Sequence, residues 1–276
     1  MKRALKELEN KILDFDKRKL PLHKNFNNFI KNCSVVLAAG GEGSRFKNIV
    51  GDSKVNKSAY ILPNNETMIE RTIKMYKKLG FANFVVLVCY QADSIVKLLG
   101  DGSKYGVSIV YSHDPEKPVG RGGAIKNALI NKVINESNYL IVHNPDDQIV
   151  GDTNAILTSV INKHLHNEDK NGIATAVVVQ GSYYDYSGMK VKKDIVTNIE
   201  MYPFIPIPAH IGMTVFSQKV YKYFYKLFDL NEKCDFESRL FPVLVKEKKL
   251  YACNIPIESW ISVNNEKGLK KLIQSL

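Results

Sequence analysis

From Ser34 onward, short apolar runs alternate with amphipathic stretches of helical period. Residues 34–39 (SVVLAA), 84–89 (FVVLVC), 107–111 and 139–143 are continuous apolar or β-branched runs that predict buried strands. Between them, residues 67–79 (TMIERTIKMYKKL), 93–99 and 123–131 carry the helical pattern, with Gly80 closing the first. Further on, 173–180 and 211–216 predict strands and 189–200 a hairpin. Residues 235–248 predict a helix that Pro242 should kink. Strand–helix alternation demands a mostly parallel sheet covered on both faces, and in such sheets ligands gather at the carboxyl ends of the strands. The expected class is α/β: a three-layer α/β/α unit with a mixed, mainly parallel Rossmann-like sheet. Residues 1–32 differ, with an amphipathic stripe of Leu5, Leu8, Ile12, Leu13 and Phe15 that Pro21 ends. They predict a helical arm packed on the body or on a second copy in a homo-oligomer, and residues 33–276 a single domain.

The formal charge of +11 and pI near 9.3 suit polyanionic partners. No dense basic block interleaved with aromatics appears, which favours nucleotides and phosphates over nucleic acid. The four cysteines, Cys33, Cys89, Cys234 and Cys253, form no CxxC pair, so neither a zinc site nor a disulfide framework is indicated. The charged N-terminus leads into no apolar stretch, and the longest apolar run, residues 84–90, is too short to span a bilayer. A cytoplasmic protein with no membrane partner is expected.

Three loops fall at carboxyl ends of predicted strands: 40–57, 112–123 and 144–148. Gly40, Gly41 and Gly43 directly follow a strand, where backbone N–H groups can approach a phosphate. Phe46 stands where a dinucleotide fingerprint needs glycine, and the Gly-Lys-Ser/Thr of a P-loop is absent. Arg45 places a bidentate cation beside the glycines, as a triphosphate tail requires. Asp146 and Asp147 at a strand end offer hard oxygen ligands to a divalent cation. His164, His166 and Asp169 read as a solvated helix end, and His143 as a satisfied core histidine.

Residues 37–46 (LAAGGEGSRF) closely resemble the signature loop of the sugar-phosphate nucleotidyltransferases. The resemblance extends over residues 34–275, through 118–125 (PVGRGGAI), 144–146 (NPD), 186–191 (YSGMKV), 199–203 (IEMYP), 210–216 (HIGMTVF), 235–237 (DFE) and 260–265 (WISVNN). It implies the nucleotide-diphospho-sugar transferase fold. It also implies nucleotide contacts from Leu37, Ala39, Gly40, Gly41, Gly43, Ser44, Gln91, Pro118, Gly120 and Gly123. Arg45 would hold the β/γ-phosphates and Lys57 the α-phosphate, with Lys54 the alternative to Lys57. Asp146 would bind Mg²⁺, with Asn264 as second ligand in place of the family's aspartate, which is Ser262 here. Gly188, Glu200, Tyr202, His210 and Gly212 would meet the acceptor, with Tyr202 standing where the family has a lysine. Arg121, where a small threonine is usual, would alter base choice or add a phosphate contact. Asn56 replaces the usual proline before Lys57.

The resemblance implies Mg²⁺-assisted in-line attack of a phosphomonoester, such as a sugar 1-phosphate, on the α-phosphorus of an NTP, releasing pyrophosphate and an NDP-sugar. A pyrimidine nucleotide, UTP or CTP, is the expected donor. The changes at Tyr202 and Ser262 also fit a non-catalytic relative that senses nucleotide or sugar phosphate.

Overall fold

A computed structural model describes residues 2–16, 18–46 and 55–276, with the side chain of Arg45 left aside. The strands are β1 (Cys33–Ala38), β2 (Asn83–Val88), β3 (Ser108–His113), β4 (Tyr139–His143), β5 (Asp147–Ile149), β6 (Ala174–Val179) and β7 (Ser182–Tyr183). They continue with β8 (Ser187–Lys192), β9 (Ile195–Met201), β10 (Phe204–Ile205), β11 (Ala209–Phe216), β12 (Leu250–Asn254) and β13 (Trp260–Ser262). The helices are α1 (Lys2–Ile12), α2 (Phe26–Lys31), α3 (Met68–Lys78), α4 (Ala92–Leu99), α5 (Gly120–Ile130) and α6 (Thr153–Glu168). Three more close the chain: α7 (Tyr221–Leu227), α8 (Phe236–Lys246) and α9 (Glu266–Gln274).

Seven strands form one sheet in the order β12-β6-β11-β4-β1-β2-β3. β1 is parallel to β2 and β4, and β2 to β3, so the carboxyl ends of these four open on one edge. β11 runs antiparallel between β4 and β6, which brings its amino end, Ala209 and His210, to the same edge. The sheet is therefore mixed and mainly parallel, as the alternation required.

Successive strand residues feed opposite layers. Val35, Leu37, Val86 and Ile141 pack with Ile69, Ile73 and Tyr76 of α3 and Leu157, Ile161 and Leu165 of α6. Val36, Val85, Leu140 and Val142 pack with Ile125 and Leu129 of α5, Phe224 of α7 and Phe236 and Leu240 of α8. Each such side chain contributes about 1.5–3 kcal/mol on burial. A third, smaller cluster of Phe46, Leu62, Met68, Val263, Leu269 and Leu272 anchors the glycine loop's far end. Thr67 and Glu70 form a capping box that starts α3.

Several boundaries differ from expectation. α5 begins at Gly120, three residues early, so part of the expected loop is its first turn. Pro242 sits inside α8 and the helix continues to Lys246. The arm's first helix ends at Ile12, well before Pro21, and buries none of its residues. Phe26 and Phe29 of α2, by contrast, belong to the main core. Among the described residues no helix is long and apolar enough to cross a membrane.

His164 corrects the reading of a solvated helix end. It is wholly buried, its Nδ1 3.0 Å from Thr175 Oγ1, and burial pulls its pKa from 6.5 down to about 3. The folded chain keeps this ring neutral, while the unfolded chain protonates it near 6.5. Its share of stability is therefore complete above pH 6.5 and is lost as pH falls toward 3, at about 1.4 kcal/mol per unit. Urea titrations at pH 7 and pH 5 should show His164→Leu losing about 2 kcal/mol less than the parent over that interval. Equal losses in the two chains would overturn the assignment.

Candidate active site

The glycine loop after β1, residues 89–91 after β2, residues 114–118 after β3 and residues 144–146 after β4 enclose a cleft of about 890 Å³. A larger cavity, about 1380 Å³, lies between the N-terminal arm and α6 and β12. It reaches the sheet edge at Gln180, Pro208 and Asn254 but its lining lacks the glycine loop and Lys57, so the smaller cleft is the better candidate for an anionic ligand.

Lys57 enters this cleft because the residue before it is tied down. Asn56 is buried and donates from Nδ2 to the carbonyls of Ala39 and Tyr90, both at 2.9 Å. Its Oδ1 accepts from Ser58 N–H at 2.9 Å, and its own N–H donates to Ser94 Oγ at 3.0 Å. The asparagine thus does by hydrogen bonds what a proline would do by ring stiffness. Lys57 Nζ then donates to Asp146 Oδ2 at 2.5 Å and Asn264 Oδ1 at 2.9 Å. Lys54, the alternative, lies outside the described residues, as does the side chain of Arg45; the backbone of Arg45 lies in a short 3-10 turn, Ser44–Phe46.

Asn264 reaches Asp146 through a strand pairing. β13 runs antiparallel to β5, Ser262 opposite Asp147, and Val263 N–H donates to the Asp146 carbonyl at 2.8 Å. Asn264 Nδ2 donates to Ser262 Oγ at 2.6 Å, which turns Oδ1 toward Lys57 and Asp146. Ser262, where the resemblance expects an aspartate, therefore orients the asparagine beside it. An ammonium held between a carboxylate and an amide oxygen shows that this pair accommodates a cation. Mg²⁺ is commonly held by one or two such oxygens plus phosphate and water.

Behind Asp146 the polar groups are fully committed. Asp147 is buried, accepting from Asn144 Nδ2 and Trp260 Nε1, both at 3.1 Å. Burial and the nearby Asp146 charge push its pKa up to about 6. His143 is a satisfied core histidine: Nε2 donates to the Asp147 carbonyl at 2.8 Å and Nδ1 accepts from Tyr76 OH at 3.0 Å. Burial lowers its pKa to about 4. Asp147 faces inward in this network, so Asp146 is the carboxylate presented to the cleft.

Arg121 lines the cleft but its guanidinium is clamped. It meets Glu237 at 2.8 Å, Asp235 at 3.3 Å and Asn144 Oδ1 at 3.2 Å, over the Phe236 ring. The Asp-Phe-Glu segment thus fixes the start of α5, where Gly120 (φ +72°) leaves no room for a Cβ against the Cys234 backbone. His210 sits 3.8 Å from Glu237 Oε1 and donates from Nε2 to the Met213 carbonyl at 3.1 Å, beside Thr214 Oγ1, and Gly212 lies under Asn144 and Asp147.

Gly40, Gly41, Gly43, Ala39, Gln91, Pro118 and Gly120 line the cleft together with Lys57, Asp146 and Asn264. Leu37 and Gly123 are packed beneath it, in the sheet and in α5, and Ser44 follows the glycines in the same short turn. Gly188, Glu200 and Tyr202 lie on and beside the β8–β9 hairpin, outside the cleft lining. Reasoning from sequence quoted Asn56 and Asn144 without giving them a role and missed Asp114, a carboxylate in the cleft wall that burial holds above the usual range. A lone asparagine or aspartate in a loop carries no periodic signal. His23, His166 and Asp169 cluster elsewhere, at the arm. His23 Nδ1 accepts from Asn25 N–H, so its Nε2 proton goes to Asp169, and His166 Nε2 donates to the Pro21 carbonyl.

Comparison with known proteins agrees with this architecture. The model of the nucleotidyl transferase family matches residues 34–272. A mannose-1-phosphate guanyltransferase of Pichia angusta is 28% identical over 208 residues, covering 74% of this chain. The chain spans about half, 54%, of that relative's length. Among solved structures, a candidate glucose-1-phosphate thymidylyltransferase from Bacillus anthracis superposes with a TM-score of 0.65 at 17% identity. It covers 88% of this chain and 94% of its own. HddC from Yersinia pseudotuberculosis gives 0.62 at 20% identity, covering 87% and 98%. These two show a shared fold.

Proposed function

This chain belongs to the nucleotidyl transferase family, and on that footing we propose that it joins an NTP to a sugar 1-phosphate or similar phosphomonoester, releasing pyrophosphate. The observation that carries the reading is the convergence of Lys57, Asp146 and Asn264 at the mouth of a glycine-floored cleft. The nucleotidyltransferase names of the curated relative and of the Bacillus anthracis structure support it.

A phosphomonoester dianion is nucleophilic enough to attack the α-phosphorus without a general base. The obstacle is repulsion between two polyanions, about 4 kcal/mol per unit charge pair at 4 Å in a partly dry cleft. Lys57 supplies a fixed positive charge against it. The glycine loop lets the phosphate tail approach the backbone closely. Asp146 and Asn264 Oδ1 would hold Mg²⁺, which supplies charge neutralisation for the α-phosphate and the departing pyrophosphate. Ser262 and Asn56 are positioning residues, acting through Asn264 and Lys57. The closed ring of contacts around Arg121 favours a role in holding α5 over a direct phosphate contact.

Strand order supports putting the base at the Asp114 end of the cleft. Asp114 lies three strands from Asp146, about 14 Å away at the usual strand spacing. A carboxylate accepts hydrogen bonds, so beside C4 of a pyrimidine it complements the amino group of cytosine and opposes the O4 of uracil or thymine. Among pyrimidines this favours CTP over UTP. Asp114→Asn should shift the CTP:UTP ratio of kcat/KM toward UTP by about 10–10²-fold. An unchanged ratio would remove Asp114 from base reading.

The test of the reaction is pyrophosphate release with Mg²⁺, from each common NTP against a panel of sugar 1-phosphates and other phosphomonoesters. Release that depends on one acceptor is the expected result. Nucleotide binding without turnover anywhere on the panel would assign the chain to non-catalytic sensing.

A further inference from the structure

On the reading of Asp146 and Asn264 as the cation's ligands, we propose that Lys57 keeps their site closed in the nucleotide-free chain. Its ammonium occupies the two oxygens that a divalent cation needs, and a bound phosphate tail is what draws it away. Lys57 Nζ donates to Asp146 Oδ2 at 2.5 Å and to Asn264 Oδ1 at 2.9 Å. Among the described residues Nζ has no other hydrogen-bond partner.

Each member of this trio is aimed by groups outside it. Ser262 Oγ accepts from Asn264 Nδ2 at 2.6 Å, which leaves Oδ1 for the cleft. The Asp146 carbonyl accepts from Val263 N–H at 2.8 Å, which ties the carboxylate's backbone to the segment carrying Asn264. Across the cleft, the four hydrogen bonds of Asn56 fix the chain just before Lys57. Pinned backbone thus places the ammonium and its two oxygens against one another.

Charge makes the occupancy exclusive. A divalent cation on the same two oxygens would crowd the ammonium, and like charges that close repel strongly in a cleft with little water. The Lys57 side chain is only 11% exposed, so stripping it of Asp146 would leave a poorly solvated charge without a counter-ion. Displacing it takes another anion within reach of its stem. That stem lies along the glycine loop: a Cβ at Gly43 would stand 3.3 Å from Lys57 Cβ and 3.7 Å from Cδ. A triphosphate seated on the loop would offer its oxygens to the ammonium and free Asp146 and Asn264 for the cation. One side chain therefore couples nucleotide binding to cation binding, and the coupling is reciprocal.

The test titrates Mn²⁺ alone, as a paramagnetic replacement for Mg²⁺, into the nucleotide-free chain and counts the free ion by electron paramagnetic resonance. Lys57→Met keeps an unbranched stem and removes the charge, so it should bind Mn²⁺ at least about 10-fold tighter than the parent. Lys57→Arg keeps the charge and should bind as the parent does. Adding Asp146→Asn to Lys57→Met should abolish the gain, which would locate the ion on these oxygens. Lys57→Leu gives the same comparison if circular dichroism shows the methionine variant misfolded. No gain on neutralising Lys57, an equal gain with Lys57→Arg, or a gain that survives Asp146→Asn overturns the proposal. Mg²⁺-dependent pyrophosphate release by the parent, measured alongside, separates two failures. Release without the gain removes the closed site alone, whereas absence of both also removes Asp146 and Asn264 as the cation's ligands.

Discussion

Asp146→Asn is expected to lower the rate of pyrophosphate release by roughly 10²–10³-fold while leaving the fold intact. The substitution keeps the size and planarity of the side chain and removes one charge. The backbone role of the residue, accepting from Val263 N–H, is untouched, so β13 should stay docked on β5. Lys57 would retain Asn264 Oδ1 as a partner and lose its only ion pair among the described residues. Two consequences follow at the reacting phosphate. The proposed cation site would lose its anionic ligand, and Lys57 would be held, among the described residues, by Asn264 Oδ1 alone. Steady-state kinetics at saturating Mg²⁺ should show the loss chiefly in kcat, and a thermal melt should lie close to the parental one. Activity within tenfold of the parent would remove Asp146 from the reaction.

Gly212→Ala should strongly destabilise the chain. Gly212 holds φ at +72°, a conformation costly for a side chain, and a Cβ there would stand 2.3 Å from both Asn144 Nδ2 and Asp147 Oδ2. Neither neighbour can yield cheaply, since Asn144 is held by Arg121 and Asp147 by Trp260. Strain and broken hydrogen bonds together should cost about 2–4 kcal/mol. The fraction that folds should turn over slowly, because Asn144 and Asp147 back the loop that carries Asp146. Gly41→Ala is the control: its Cβ meets nothing within 4 Å, and its φ lies outside the left-handed range. Urea unfolding should separate the two variants clearly. A Gly212→Ala midpoint equal to that of Gly41→Ala would show that the loop adjusts freely.

The local elements were legible along the chain because their causes are local. Runs such as Val35–Val36–Leu37 and Val85–Val86–Leu87 can only be buried strands, and the capping box at Thr67 and Glu70 marks a helix start by itself. The three loops expected to carry chemistry do meet at one edge, since a parallel sheet puts every carboxyl end on the same side. Glycines 40, 41 and 43 and Asp146 were marked out for that reason, and Lys57 by the resemblance to the nucleotidyltransferases. Pairings between distant segments were not readable. Asn264 was set beside Asp146 by the family resemblance alone, since residue pattern carries no record that β13 docks on β5. Asn56 looked like a lost proline until its four hydrogen bonds appeared, and Arg121 like a free cation until Asp235 and Glu237 closed on it. The hairpin was equally visible in sequence, yet only the fold reveals that its two strands pair with each other alone. Periodicity reports the environment each residue requires, whereas the identity of the neighbour that supplies it depends on strand order and loop closure across more than a hundred residues.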